Sequence, residues 1–154
     1  MIKSKKHYLV FVILFFFTFE KSISSENKKF LSLKNNTVNL RQGPSFEYPI
    51  KLTYKKKYLP VIIIDRSEAW RKIKDFENNS GWIHTSQLSK RKTAINTKEN
   101  SVIYKKPTLY SKPIVRLEVG RLVIIKKCQN KWCKINSGGY KGWILKKSLW
   151  GEIK

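Results

Sequence analysis

The side chains best suited to chemistry are few in this sequence, and two of them are cysteines that stand close together. Cys128 and Cys133 are separated by four residues, with Asn130 and Lys131 at the centre, which is typical of a hairpin turn. Such a hairpin would place the two sulfurs on neighbouring strands, within bridging distance if they face each other. We therefore expect a disulfide. A metal site needs more ligands than this stretch offers, so we expect no metal and no other cofactor.

Residues for acid–base catalysis are equally scarce. His84 is the only histidine outside the N-terminal segment, and its acidic partners would be Asp65, Asp75 and a few glutamates. A nucleophile needs a base within hydrogen-bond reach, and a single histidine after Gly-Trp-Ile is more typical of a strand end than of a base. We see no glycine-rich phosphate loop. We therefore expect no catalytic residues and a protein that is not an enzyme.

The elements that would position these residues come from an internal repeat. A Trp-x-x-Ile segment, a short turn, a Gly-Trp-Ile segment and a following Leu occur twice, about sixty residues apart, at 70–88 and 132–149. Self-similarity of this kind indicates copies of one structural unit. The β-branched runs at 61–64 and 122–125, bounded by frequent turn residues, favour short strands over helices. The sequence therefore predicts an all-β protein of two tandem small β-barrels.

The chain divides into three expected segments. Residues 1–25 form a signal peptide, residues 26–94 the first barrel and residues 95–154 the second, with a polar junction too short to be a free linker. In matching the copies we align Pro113-Ile114 with Pro49-Ile50.

The two copies also differ where the cysteines stand. Arg66 and Arg71 occupy the places of Cys128 and Cys133. Two arginines at these places predict facing strand positions that are open to solvent. We therefore expect the disulfide to staple a hairpin and not the core.

The N-terminus has the order of a secretory signal peptide. Lys3, Lys5 and Lys6 precede an apolar run over 9–19, and small residues follow at 22–25. The apolar run is shorter than the roughly 20 residues that a membrane-spanning helix needs. Because serine is less favoured than alanine at a cleavage position, an uncleaved anchor is the alternative. We expect an exported protein located in the periplasm, with secretion as the second choice.

The charge is strongly positive. The chain carries 33 Lys and Arg against 10 Asp and Glu, a formal net charge of +23, and only four of the lysines fall within the first 25 residues. Such a field attracts polyanions, which outside the cytoplasm include anionic envelope polymers. The alternative is that the basic residues form only a solvated surface, and that their number reflects the codon bias of an AT-rich genome. We expect no nucleic-acid partner, and membrane contact only through the signal segment if it is uncleaved.

Two motifs of the first copy resemble a known family. Val-Asn-Leu-Arg-Gln-Gly-Pro-Ser at 38–45, paired with Gly-Trp-Ile-His-x-Ser-x-Leu-Ser at 81–89, is similar to exported tandem Src-homology-3-like domains of alphaproteobacteria. The likeness spans about residues 30–152. It implies five short strands per barrel and an aromatic-lined ligand groove. It also implies binding to peptidoglycan stem peptides or glycan.

The resemblance and the loop positions together name a candidate ligand-binding set. Aromatic rings would stack on the ligand while basic side chains pair with its carboxylates. The candidates are Arg41, Phe46, Tyr48, Trp70 and Trp82. For the tryptophans the alternative is a structural role, because a barrel of about 60 residues buries little core. The expected partner is peptidoglycan or an envelope protein. The alternative is a scaffold that presents its basic surface to an envelope partner.

Overall fold

The computed structural model describes residues 29–153, and within them it is built from strands and short turns. The first barrel comprises β1 (Lys29–Leu33), β2 (Val38–Arg41), β3 (Ile50–Tyr54), β4 (Pro60–Ser67), β5 (Trp70–Lys74), β6 (Ser80–His84) and β7 (Leu88–Ser89). The second comprises β8 (Thr93–Asn96), β9 (Ser101–Tyr104), β10 (Pro113–Leu117), β11 (Leu122–Gln129), β12 (Trp132–Ser137), β13 (Tyr140–Leu145) and β14 (Leu149–Gly151). One turn of 3-10 helix precedes the last strand of each barrel, at Thr85–Gln87 and Lys146–Ser148. The all-β prediction is confirmed.

The two barrels have the same topology. The strand order is β3-β2-β6-β5-β4-β1-β7 in one sheet and β10-β9-β13-β12-β11-β8-β14 in the other, so each strand of the second barrel is the first-barrel strand seven positions earlier. Each sheet has seven strands where five were expected, because the short first and last strands, such as β1 and β7, also pair with each other. The predicted duplication is confirmed strand for strand.

Each barrel encloses its own hydrophobic core. In both, the long fourth strand lies against the strand that starts with tryptophan, and Ile63 pairs with Ile73 as Ile125 pairs with Ile135. The first core consists of Leu33, Val38, Leu40, Tyr54, Leu59, Val61, Ile73, Ile83 and Ile95. The second consists of Ala94, Ile103, Leu117, Val123, Ile125, Cys133, Ile135, Ile144 and Leu149. The β-branched and leucine side chains of the repeat thus supply most of the apolar surface buried on folding.

The glycine of each Gly-Trp-Ile segment is required by the close approach of two strands. A Cβ on Gly81 would lie 2.6 Å from the carbonyl oxygen of Arg41 and 2.7 Å from Cγ of Leu40. A Cβ on Gly142 would lie 2.5 Å from the carbonyl oxygen of Tyr104. Real Cβ contacts are not this short, so any larger residue would push the second strand of the barrel off the sixth. The motif therefore marks the point where the sheet closes.

The predicted disulfide joins Cys128 to Cys133. The two residues face each other directly in the β11–β12 ladder around the turn at Asn130, as expected for a stapled hairpin. The expectation that both positions are open to solvent is wrong, because Cys133 is fully buried and belongs to the second core. It alternates inward with Ile135 along β12, so the staple reaches from the hairpin into the core.

The first barrel carries arginines at the same two positions. Arg66 and Arg71 face each other in the β4–β5 ladder, as the cysteines do in the second barrel. Arg66 is exposed, and Arg71 turns its guanidinium back to the carbonyl oxygens of Glu68 and Trp70. A long charged side chain can leave the core in this way, whereas a cysteine cannot.

The ladders also correct the expected match between the two copies. Ile50 pairs with Arg41 and Pro113 pairs with Tyr104, so Pro113 occupies the place of Ile50 and not that of Pro49. A β-bulge follows in each strand, and it shifts the pairing by one residue.

The boundary expected near Ile95 falls inside β8, and the two sheets divide between Ser89 and Thr93. Ile95 pairs within the second sheet, yet its side chain is buried in the first core. Trp150 of β14 meets Phe30 of β1 edge to face, with ring centroids 5.1 Å apart. The two barrels therefore share an apolar contact and pack against each other.

The expected signal peptide, residues 1–25, lies outside the described residues. Between residues 29 and 153, no helix has the length and apolar character needed to cross a membrane.

Candidate functional site

Three strands of the first barrel direct candidate side chains to one outer face. Trp70 stands opposite His84 in the β5–β6 ladder, and Arg41 stands opposite Trp82 in the β2–β6 ladder. Paired residues project to the same side of a sheet, and alternate residues along a strand share a face. These four side chains are therefore on the face opposite Ile83, which is fully buried in the core.

An aromatic cluster forms a groove on this face. The Phe46 ring lies 4.9 Å from the Trp70 ring and 5.4 Å from the His84 ring, and Trp70 and His84 are 5.3 Å apart, all between centroids. Arg41 Cζ lies 5.7 Å from the centre of the Phe46 ring. The cavity beside them, which we call the first groove, has a volume of about 170 Å³. It is lined by Thr37, Asn39, Arg41, Phe46, Trp70, His84 and Gln87.

The rings of the cluster differ in how much of their surface is exposed to solvent. Trp70 is only 7% exposed, so it has the structural role that was considered for the tryptophans. Phe46 covers it and is itself 67% exposed, which is unusual for a phenylalanine. The groove therefore has a buried, well-supported aromatic wall and an exposed ring at its edge.

Arg41 is oriented by the loop between β2 and β3. One terminal nitrogen, Nη1, donates a hydrogen bond to the carbonyl oxygen of Tyr48 at 2.7 Å. Within residues 29–153 this is the one hydrogen bond of the guanidinium. Because an arginine carries five donors in a planar fork, N–H groups remain for a ligand. Arg41 therefore combines a fixed position with free donors beside an aromatic ring.

Two of the five expected ligand-binding residues lie outside the first groove. The Tyr48 ring packs over Gly43, where a Cβ would lie 2.6 Å from its ring atoms. Trp82 shares the outer face with Arg41 and stands opposite Lys72 in the β5–β6 ladder. The structure thus brings Arg41, Phe46 and Trp70 together, and places Tyr48 and Trp82 beside them.

His84 is a groove residue that the sequence reasoning missed. Its Nδ1 accepts a hydrogen bond from the backbone N–H of Ser86 at 3.3 Å and lies 2.8 Å from Ser86 Oγ. Because a backbone N–H can only donate, the neutral ring carries its proton on Nε2 and presents that N–H as a donor. The signal in the sequence was its place opposite Trp70, which becomes visible only once the strand register is known.

The surroundings of His84 do not resemble a catalytic triad. In the described part of the chain, its hydrogen bonds are to Ser86, two residues along, and no carboxylate orients the ring. Both cysteines are consumed by the disulfide. No group of three or more His, Cys, Asp or Glu that could hold a metal ion occurs within residues 29–153.

Asp75, one of the few acidic residues, has a structural role. It is 3% exposed, and its carboxylate accepts hydrogen bonds from the Tyr54 hydroxyl at 2.9 Å and from the backbone N–H groups of Glu77 and Asn79. These bonds organise the turn between β5 and β6. Burial, together with the adjacent negative charge of Asp75, raises the pKa of Tyr54 far above its usual value.

Comparison with known proteins agrees with this architecture. A family model described as bacterial SH3 domain matches the chain twice, over residues 34–90 and 97–151. No curated protein matches the chain significantly.

Among solved structures, NlpC2 from Trichomonas vaginalis is 19% identical, with a TM-score of 0.38, over 82% of this chain and 49% of that one. NlpC1 from the same organism is 18% identical, with a TM-score of 0.38, over 83% of this chain and 47% of that one. The chain thus spans about half the length of these two structures. Since the family model covers most of the sequence in two tandem copies, the chain belongs to the bacterial SH3 domain family.

Proposed function

We propose that this protein is an exported, non-enzymatic binding module that recognises peptidoglycan or another component of the cell envelope through the first groove. Bacterial SH3 domains are generally binding modules. The observation that carries the proposal is the grouping of a cation, an imidazole N–H donor and exposed aromatic surface at Arg41, His84 and Phe46. Small-molecule sites combine apolar walls with a few convergent polar groups in this manner.

The chemistry of the groove suits the peptide part of peptidoglycan. Stem peptides carry carboxylates next to small apolar side chains. The guanidinium of Arg41 can bind a carboxylate with two parallel hydrogen bonds, and the exposed Phe46 ring, which packs on Trp70, offers apolar surface for the adjoining groups. The net charge of +23 would also raise the local concentration of an anionic polymer.

Two features support export. The order of basic, apolar and small residues at the N-terminus is that of a signal peptide. The disulfide between Cys128 and Cys133 is the type of bond that persists in oxidising compartments and is rare in the cytosol. We propose the periplasm as the location.

A scaffolding role is the second candidate, and one surface favours it. Tyr58 lies between two cations, with Lys57 Nζ 5.1 Å and Arg91 Cζ 4.5 Å from its ring centre, where the first barrel meets the second. The basic residues over 55–57 and 90–92 are exposed. A partner bound here would be held mainly by charge.

Sedimentation with purified peptidoglycan across a salt series separates the two candidates. Binding through the first groove predicts retention that persists at high salt and is lost in Arg41→Ala. The matched control Arg66→Ala removes the same charge from an exposed strand position outside the groove. Binding that disappears with salt and is weakened equally by both variants would reject the groove and favour the basic surface.

A further inference from the structure

The second barrel has a groove at the position equivalent to the first groove. Tyr104 stands opposite Trp143 in the β9–β13 ladder, as Arg41 stands opposite Trp82 in the β2–β6 ladder. Tyr104 therefore occupies the place of Arg41. This equivalence rests on backbone pairing, so it does not depend on how the two sequences are aligned.

The strand pairing beside it is equivalent too. Trp132 stands opposite Leu145, as Trp70 stands opposite His84. Trp132 and Tyr104 meet edge to face with centroids 5.7 Å apart, so the second barrel has an aromatic pair where the first has Trp70 and Arg41.

The cavity at this place, which we call the second groove, has a volume of about 390 Å³ against about 170 Å³ for the first. Five of its lining residues fall at positions that line the first groove: Asn100, Val102, Tyr104, Leu145 and Ser148. The second groove thus overlaps the place of the first and extends past it to Lys98, Glu99 and Lys147, and Trp132 does not line it.

At the equivalent places, the second groove lacks the side-chain nitrogen donors of the first groove. The guanidinium of the first groove is replaced by the phenol of Tyr104, and the imidazole N–H by the alkyl side chain of Leu145. Val102 replaces an amide. A carboxylate would therefore find no side-chain nitrogen donor at the places held by Arg41 and His84 in the first groove, and its cationic partners among the lining residues would be Lys98 and Lys147. The exposed charged residues that remain are of both signs, Lys98 and Lys147 against Glu99.

We propose that the second groove is a separate binding site for an uncharged sugar ring of a glycan. A pyranose ring has apolar C–H faces and a rim of hydroxyl groups. The second groove matches this pattern, with apolar surface from Tyr104 and Leu145 beside hydrogen-bonding groups on Asn100 and Ser148. An apolar peptide would be better served by a lining without these polar groups.

The inference rests on the proposed function, because it assigns the glycan and the peptide of one envelope polymer to the two barrels. Two weak sites on one chain reinforce each other when both can reach the same polymer. The apolar contact between Phe30 and Trp150 would hold the spacing between the grooves.

The test is an NMR titration of the full chain with the uncharged tetramer of N-acetylglucosamine. We expect shifts of the backbone amides of Tyr104, Leu145 and Ser148, with those of Arg41 and His84 unmoved. Leu145→Glu should weaken tetramer binding about tenfold, the effect of losing about 1.4 kcal/mol. The matched control Ile64→Glu, at an exposed strand position outside both grooves, should bind as wild type.

Three results would overturn the assignment. The tetramer could shift only first-groove amides, or none, or an uncharged capped tri-alanine peptide could shift the second groove more strongly than the tetramer does. A failure of the proposed function would appear in a different experiment, the sedimentation with intact peptidoglycan. In that case intact peptidoglycan would not be retained by the wild type, or would be retained equally by Arg41→Ala, whatever the tetramer does.

Discussion

His84 lies directly opposite Trp70 in the β5–β6 ladder, and the two rings meet edge to face with their centroids 5.3 Å apart. Both residues are held by the backbone hydrogen bonds of adjacent strands, so this wall of the first groove does not depend on a loop. Phe46 comes from the β2–β3 loop and completes the cluster. The groove thus combines a rigid wall with an exposed ring that can be removed at little cost to the fold.

Phe46→Ala should weaken binding to soluble peptidoglycan fragments about tenfold and lower thermal stability only slightly. The ring is 67% exposed, so little buried surface is lost, whereas its stacking surface for a ligand disappears. Isothermal titration calorimetry and a circular-dichroism melt measure the two effects. Tyr110→Ala, which removes a fully exposed ring from the equivalent loop of the second barrel, is the control. Equal affinity of the two variants would exclude Phe46 from the site.

Gly81→Ala should destabilise the first barrel by about 1–3 kcal/mol, the usual range for overpacking. The added methyl would lie 2.6 Å from a backbone carbonyl oxygen, which cannot move aside as a flexible side chain can. Urea denaturation provides the measurement. The control Ser80→Ala changes the preceding position of β6, which is half-buried. A Gly81→Ala midpoint equal to that of Ser80→Ala would show that the strands do not approach as closely as described.

Loss of the disulfide should cost about 2 kcal/mol, as expected when the closed loop is short. The sequence separation of Cys128 and Cys133 is 5 residues. Denaturation with and without reductant measures the loss, and the double variant Cys128→Ala/Cys133→Ala should show the lower stability and no response to reductant. Affinity for peptidoglycan fragments should be unchanged, because the first groove lies in the other barrel. Reductant sensitivity in the double variant would contradict the assignment of the effect to this bond.

Stability should fall above about pH 10, and Tyr54 should contribute to the fall. In the folded state the pKa of Tyr54 is raised above its unfolded value by burial and by Asp75. The unfolded chain therefore releases this proton near pH 10 while the folded chain keeps it, so the contribution of Tyr54 is complete below pH 10 and is lost as the pH rises beyond it.

Tyr54→Phe isolates this contribution from the titration of the many lysines. The variant should be less stable at pH 7 by about 1–3 kcal/mol, since Asp75 loses a buried donor. Its stability should then decline less steeply than that of wild type between pH 10 and 12. Parallel declines in urea denaturation series at several pH values would reject the role assigned to Tyr54.

Much of the fold could be predicted because the residues that define the repeat are large side chains and glycines. Trp70 and Trp132, each followed by an isoleucine three residues later, mark the same strand in each barrel, and the Gly81 motif marks the strand beside it. These residues serve packing, and packing patterns are periodic along a strand. The duplication followed from them directly.

The candidate site was predicted only in part, since a site depends on which strands are neighbours. His84 was set aside as a strand end because nothing local shows that it faces Trp70. Cys133 was expected to face solvent because its first-barrel counterpart is an arginine. The long side chain of Arg71 turns back to two backbone carbonyl oxygens, whereas the short side chain of a cysteine stays in the core. Tyr48 was grouped with the groove, although the conformation of its loop turns the ring onto Gly43.

The most direct test of the account is an NMR titration of the full chain with soluble peptidoglycan fragments released by a muramidase. Binding through the first groove predicts that the indole N–H of Trp70 and the backbone amides of Arg41, Phe46 and His84 shift together and saturate. It also predicts that Arg41→Ala abolishes these shifts. Shifts confined to the exposed basic residues over 55–57 and 90–92, with the Trp70 signal unmoved, would contradict it.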